Sequence, residues 1–146
     1  MHDVRQIRKL LKIKTMRRKM AELEVARANA EVARGLSAVE QAQQEEADTL
    51  ASGAERREKR ISRLLDEPGN VSMQNAMIVN VFARTRHEKA RARAAVLQKS
   101  AELLEARNLA IEKQRKLARF LQVEERAKQF CDRLETSERL EAQRAE

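Results

Sequence analysis

The stretch DEPGN at residues 66–70 constrains the fold of this chain more than any other feature. It holds the only proline, Pro68, and Gly69 follows directly. Proline disfavours helical geometry at the preceding residue, here Glu67, and Gly69-Asn70 suits a turn. Apolar residues recur at steps of three and four on both sides, which is helix spacing. The sequence therefore predicts two helices joined by one short turn.

We predict an all-α fold, a long antiparallel two-helix coiled-coil hairpin that occupies residues 1–146 as a single domain. Its helices are predicted over 3–65 and 73–140, with the turn over 66–72. Placing the helix ends opposite each other across this turn brings both chain ends together at one tip. A parallel homodimer is the alternative architecture, but it needs a helix that continues through Pro68 and Gly69, or two separate coils.

Two apolar stripes are the predicted contact faces of the helices. The stripe of the first helix weakens around 41–46 and comprises Ile13, Met16, Met20, Leu23, Ala26, Ala30, Ala33, Leu36, Val39, Ala47, Leu50, Ala54, Ile61 and Leu64. That of the second helix comprises Ala90, Ala94, Leu97, Ala101, Leu104, Asn108 and Ile111. Beyond Ile111 it widens to include Leu117, Phe120, Leu121, Ala127, Phe130, Cys131 and Leu134. Asn108 is either a polar residue that fixes the register or a residue that points sideways. Ser72 is the predicted cap of this helix.

Glutamates four residues before a lysine or arginine are predicted on the solvated faces of both helices. Two examples are Glu124 with Lys128 and Glu135 with Arg139. Such pairs stabilise a solvated helix by about 0.2–0.5 kcal/mol each. They favour helix over coil in a chain in which 37% of the residues are charged.

The composition argues against an enzyme. There is no Trp or Tyr and there are only three Phe, so large side chains that could enclose a pocket are scarce. Catalysis needs convergent polar groups in such a pocket. His87 lacks the second histidine of a zinc-binding HExxH helix, and no glycine-rich phosphate loop is present. We predict no catalytic residues, no cofactor and no metal site.

The single cysteine and the hydropathy suggest a compartment. Cys131 has no second cysteine to pair with, so a reducing environment is expected and the thiol is predicted to pack in the apolar stripe. No run approaches the roughly 18–20 apolar residues that span a bilayer. A cytoplasmic protein is the expectation.

Most of the formal net charge of +8 is concentrated near the start of the chain. Residues 1–20 set one acidic residue, Asp3, against a cluster of eight basic ones: Arg5, Arg8, Lys9, Lys12, Lys14, Arg17, Arg18 and Lys19. Such a cluster indicates an acidic partner, which can be a protein surface, nucleic acid or an anionic membrane. A purely solvating role is the remaining interpretation. A zipper-type DNA-binding pattern is missing, so no nucleic acid is expected.

A second unusual stretch runs from Val71 to Ala83 and contains no charged residue. Its apolar side chains include Met73, Met77, Ile78, Val79, Val81 and Phe82. In one interpretation Met73, Met77 and Val81 only cover the end of the first helix. In the other, the adaptable methionine-rich surface binds a partner. Both interpretations stay open at this point.

Two stretches carry a resemblance to a known family. RQIRKLLKIKTMRRKMAELEVARA near the start and EKQRKLARFLQVEERAKQFCDRLE near the end, with the turn between them, resemble the stalk proteins of type III secretion systems (the YscO/FliJ family). The likeness covers nearly the whole chain and depends on its length, the arrangement of its helices and the pattern of its charged residues. The basic N-terminal segment is more similar to the injectisome branch than to the flagellar one.

The resemblance implies a function and partners. Members are antiparallel coiled coils whose end with both termini sits in the pore of a hexameric secretion ATPase. They also reach an export-gate membrane protein and bind escort chaperones, at the periphery of the inner-membrane export apparatus and without membrane insertion. Carried onto this chain, the ATPase-binding residues are Arg5, Arg8, Lys9, Lys12, Arg17 and Arg18. Leu117, Phe120, Leu121 and Phe130 would brace this tip. The expected gate- or chaperone-binding residues are Met73, Met77, Ile78, Val81 and Phe82.

Overall fold

The computed structural model describes residues 2–146, and these form two helices and no strand. Helix α1 runs over His2–Asp66 and helix α2 over Val71–Ala145. The two helices pack against each other, which confirms the predicted all-α class. Within the described residues, neither helix has a stretch apolar enough for its length to cross a lipid bilayer.

The turn between the helices is held by hydrogen bonds of its own backbone and amide side chains. Glu67 N donates to the carbonyl of Arg63 at 3.2 Å and ends α1. Asn70 caps α2, because its Oδ1 accepts from Ser72 N at 3.0 Å. Gln74 Nε2 reaches back to the carbonyl of Glu67 at 2.6 Å. The cap is therefore Asn70, and the prediction of Ser72 is wrong because the helix begins before it.

The chain divides into two compact units, and both helices contribute to each. The terminal unit comprises Met1–Val32 and Ala106–Glu146, and the turn unit comprises Ala33–Glu105. Each unit is described by itself below.

The helices run antiparallel in both units. In the terminal unit Arg8 contacts Glu135, and Lys113, earlier in α2, contacts Glu24, later in α1. The two helices also run antiparallel in the turn unit. There the backbone of Gly35 lies against Leu103, and Arg57 lies over the ring of Phe82 at 5.2 Å.

The buried face of α1 agrees with the predicted stripe only nearer the turn, where Val39, Ala54, Ile61 and Leu64 are half-buried. Side chains of that stripe that are exposed include Ile13, Met16, Met20, Leu23, Leu36 and Leu50. The residues that α1 buries are mostly small: Val4, Ala21, Ala28, Ala42 and Gly53. Ala21, Ala28 and Ala42 lie at heptad spacing, so the predicted periodicity is present, whereas the predicted face is wrong over residues 13–36. Small side chains lie at the contact because they let the helices approach closely.

Over residues 90–111 the contact face of α2 is also rotated from the prediction. Further along α2, four predicted members of the stripe are half-buried: Leu117, Phe120, Ala127 and Leu134. The predicted members Ala90, Ala94, Leu97, Ala101, Leu104, Asn108 and Ile111 are all exposed. The buried residues are Thr85, Leu103, Ala110, Glu124 and Cys131. Asn108 is consequently no register-fixing seam residue, whereas Cys131 packs as predicted. A glutamate and a threonine inside the contact face made that face look polar in the sequence.

Candidate protein-binding surfaces

Four of the six predicted ATPase-binding side chains are free on the surface of the terminal unit. Arg5, Lys9, Lys12 and Arg17 are exposed. None of them has an ion-pair or hydrogen-bond partner within the described chain. Their charges are therefore available to an acidic partner.

The fifth, Arg8, is engaged with the other helix. Its Nε and Nη2 both donate to Oε1 of Glu135, at 3.1 and 2.6 Å. This hydrogen bonding, together with the charge of the partner, raises the pKa of Arg8 and lowers the pKa of Glu135. The Sγ of the buried Cys131 lies 3.8 Å from the same carboxylate oxygen. Arg8 thus joins α1 to α2, and the predicted outward role of Glu135 is wrong.

The sixth, Arg18, belongs to a polar cluster inside the terminal unit. Glu124 is only 2% exposed, which contradicts its predicted place on the solvated face. Its Oε1 accepts from Thr15 Oγ1 at 3.1 Å and lies 3.3 Å from Lys128 Nζ. Arg18 Nε lies 2.5 Å from Oε2 in an ion pair that is not an aligned hydrogen bond. Arg18 also binds Glu22 at 2.6 Å.

The charges of this cluster are held in place by each other. Burial raises the pKa of Glu124, but hydrogen bonds from Lys128 and Thr15 and the charge of Arg18 outweigh it, so the net pKa is lowered. Its hydrogen bond to Glu22 is the main cause that raises the pKa of Arg18. Glu124 and Arg18 therefore both stay ionised at neutral pH, and they fix where α1 meets α2.

A second cross-helix group lies nearby. Glu24 accepts from Lys113 Nζ at 3.2 Å and lies 3.5 Å from Lys116 Nζ. Lys116 also lies over the ring of Phe120, 5.8 Å from its centroid. Lys116 therefore interacts with Glu24 of α1 and with the ring of Phe120.

The predicted bracing residues are divided between the contact face and the surface. Leu117 and Phe120 are half-buried, whereas Leu121 and Phe130 are exposed. Phe120 lines a hollow of about 190 Å³, together with the exposed Met20. Packing between the helices therefore involves only the first pair.

The uncharged stretch of the turn unit is partly packed and partly exposed. Met73, Met77 and Phe82 are exposed, whereas Ile78 and Val81 are half-buried. Met77 and Val81 line a hollow of about 400 Å³ that Arg60, Arg63, Leu64, Glu67 and Asn80 complete. Covering the end of α1 accounts for Met77 and Val81, which line the same hollow as Leu64, but not for the exposed Met73.

Several features escaped the sequence interpretation. The sequence predicts Glu124 in a surface pair, because its spacing to Lys128 fits one, but Glu124 is buried. The exposed stripes of large side chains were predicted to be the contact faces.

No group of three or more His, Cys, Asp and Glu able to hold a metal ion occurs among residues 2–146. In each unit the two helices pack against each other, the terminal unit exposes a basic cluster and the turn unit exposes part of an uncharged stretch. No family model, curated protein or solved structure matches this chain.

Proposed function

We propose that this protein is a non-enzymatic stalk of a type III protein secretion system. Its terminal unit would insert into the pore of the hexameric secretion ATPase and bind there through its basic surface. The resemblance of both end segments to the stalk family supports this proposal. So does the antiparallel arrangement of α1 and α2 in the terminal unit.

The observation that carries the proposal is that the six basic residues form two groups, two with ion-pair partners in the chain and four without. Arg8 and Arg18 are held by Glu135 and Glu124, so they stabilise the unit itself. The other four have no partner within the described chain: Arg5, Lys9, Lys12 and Arg17. Unpaired charges on a firmly joined helix pair suit an acidic pore, because docking then breaks no internal ion pair.

The apolar residues of the turn unit are the proposed second binding surface. Met73, Met77 and Phe82 expose adaptable apolar area beside the half-buried Ile78 and Val81. Flexible methionines suit a surface that meets more than one partner. The export-gate protein or an escort chaperone is the partner that we propose for it.

Charge reversal tests the ATPase assignment. Replacing Arg5, Lys9 and Lys12 by Glu should greatly weaken binding to the secretion ATPase of the same genome, measured by titration calorimetry at low salt. Raising the ionic strength should weaken the wild-type complex, since the contact is electrostatic. Reversal of Arg60 and Arg86, exposed basic residues of the turn unit, is the matched control and should have no effect.

Unchanged ATPase binding by the triple variant would reject the pore assignment. Binding of the wild-type chain to duplex DNA with a steep salt dependence would instead support a nucleic-acid adaptor. Co-sedimentation with anionic vesicles would support a peripheral membrane protein. Loss of either activity in the triple variant would place that function on the same surface.

A further inference from the structure

The outward face of α1 in the terminal unit carries a row of large apolar side chains that lie in solvent. This apolar row follows steps of three and four: Ile13, Met16, Met20 and Leu23. Met16 is 64% and Met20 62% exposed. Packing against α2 does not account for the row, because α1 buries Ala21 at this level instead. At 1.5 Å per residue the row is about 15 Å long, so it forms a compact patch.

Positive charge surrounds the apolar row. Helical spacing sets one basic residue beyond each end of the row and three more along its two sides. These five are Lys9, Arg27, Lys12, Lys19 and Arg17. All five are exposed, and none has an ion-pair or hydrogen-bond partner within the described chain.

The two glutamates beside Leu23 do not neutralise this rim, because each is already paired within the chain. Glu22 binds Arg18 at 2.6 Å. Glu24 lies 3.2 Å from Lys113 and 3.5 Å from Lys116 of the other helix. From residue 9 to residue 27 of α1, every charged side chain without a partner in the described chain is therefore positive. A protein that covers the row has to bring carboxylates to its edges.

A hollow between the helices extends the apolar row toward α2. Its volume is about 190 Å³, and Met20 and Phe120 provide its apolar side chains. Arg17 lines the same hollow. An apolar cavity of about 150 Å³ holds a benzene molecule in another protein, so this hollow has room for one apolar side chain of a partner.

We propose that the apolar row is the binding anchor of the terminal unit, and that it receives an ATPase segment whose apolar side chains are edged by carboxylates. This inference rests on the proposed binding to the secretion ATPase and names the chemistry of that contact. Apolar residues enclosed by a polar rim contribute most of the affinity of a protein interface, whereas rim charges speed association. A second copy does not fit the row, because its own row carries the same positive rim.

Met16→Gln combined with Met20→Gln tests the anchor. Glutamine keeps the length and the helix propensity of methionine but is polar, so the helix is retained and the apolar contact is lost. Binding to the secretion ATPase of the same genome, measured by titration calorimetry, should weaken about tenfold or more. The dependence of binding on salt concentration should stay as in the wild type, because no charge is removed.

Met73→Gln combined with Met77→Gln is the matched control. These two methionines are also exposed and four residues apart, but they belong to the turn unit, so this variant should bind the ATPase like the wild type. Circular dichroism shows that both variants are folded. If the first variant binds normally while the triple charge-reversal variant binds weakly, the anchor is wrong and the ATPase assignment stands. Normal binding by both would reject the anchor and the proposed function together.

Photo-cross-linking tests the chemistry of the partner segment. Met20→p-benzoylphenylalanine places a cross-linking group beside the hollow, and mass spectrometry identifies the ATPase peptide that it captures. We expect a peptide with an apolar side chain at the cross-link and Asp or Glu within one turn of it. A captured peptide that is basic there, or no captured ATPase peptide at all, would overturn the proposal.

Phosphatidylserine vesicles provide the test for a lipid surface, the other apolar and anionic occupant of such a row. The wild-type chain should not co-sediment with them at physiological salt. Co-sedimentation that the double glutamine variant abolishes, together with unchanged ATPase binding by that variant, would assign the row to a membrane and reject the proposal.

Discussion

The terminal unit and the turn unit join the same two helices by different means. In the terminal unit charged groups cross between the helices, at Arg8 with Glu135 and at Glu124 with its basic partners. In the turn unit the contact depends on small side chains, as where Gly35 lies against Leu103. A cross-helix ion pair of this unit, Arg93 with Glu46, spans 3.7 Å and is largely exposed on the arginine side. Polar clusters specify register, and small residues permit close approach. The terminal unit combines both, because Ala21, Ala28 and Ala110 are buried there as well, whereas the turn unit depends mainly on small residues.

Removal of the Glu124 side chain should cause the largest loss of stability, because it disrupts the polar cluster that distinguishes the terminal unit from the turn unit. Glu124→Ala leaves the half-buried Arg18 without its buried carboxylate, and Thr15 without an acceptor. We expect the free energy of unfolding to fall by about 2 kcal/mol, measured by urea denaturation followed by circular dichroism.

The neighbouring glutamate supplies the control for this substitution. Glu125 is exposed and bonds only weakly to Gln129, at 3.5 Å, so Glu125→Ala should change stability by less than about 0.5 kcal/mol. Equal effects at the two positions would show that the buried cluster does not join the helices.

Replacing Gly35 or Gly53 of the turn unit by Ala should raise the free energy of unfolding, by less than the Glu124 substitution lowers it. A Cβ at Gly53 would meet nothing within 4 Å, so Gly53→Ala should stabilise by up to about 1 kcal/mol through helix propensity. A Cβ at Gly35 would lie 3.1 Å from Cδ1 of Leu103, so Gly35→Ala should gain less. Urea denaturation of both variants measures the difference. A larger gain at Gly35 would mean that close approach to Leu103 is not what the glycine provides.

The smallest expected effect is a dependence on pH that belongs to the terminal unit. Hydrogen bonds from Lys113 and Arg8 are the main causes that lower the pKa values of Glu24 and Glu135 below the ordinary 4.5. A carboxylate with a lowered folded pKa stabilises the fold above its unfolded pKa. This contribution is lost as the pH falls through the folded value. The thermal midpoint should therefore decline as the pH falls below about 4.5.

Amide substitutions isolate these two groups. The double variant Glu24→Gln, Glu135→Gln keeps the shape of both side chains but cannot titrate. Its thermal midpoint, followed by circular dichroism, should decline less steeply with falling pH than that of the wild type. Parallel profiles would assign the acid sensitivity to other carboxylates.

The class of fold and the place of the turn were predictable from the sequence. The single proline with its glycine marks an interruption, and steps of three and four on both sides mark helices. The faces were not predictable in the same way. Each helix carries two periodic stripes, one of large side chains and one that includes alanine, glycine and charged residues. The hydrophobicity of Met16 or Leu97 favours the first stripe, but close helix packing selects the second.

The basic candidate surface was predictable as a segment, but the roles within it were not. Arg8, Lys9 and Lys12 look equivalent in the sequence. Only the positions of Glu135 and Glu124 on the other helix separate the paired arginines from the free side chains. These contacts join residues far apart in the chain, and helical spacing along one helix contains no information about them.

Cys131 gives this protein a built-in chemical reporter. Its thiol is buried in the terminal unit beside the carboxylate that holds Arg8. A thiol reagent can reach it only when α1 and α2 separate locally, so the labelling rate in native buffer follows the frequency of that opening. Because the chain has a single cysteine, the signal comes from one position and needs no engineered label. A partner that holds α1 and α2 together in the terminal unit would slow the labelling of Cys131, and a partner that separates them would accelerate it.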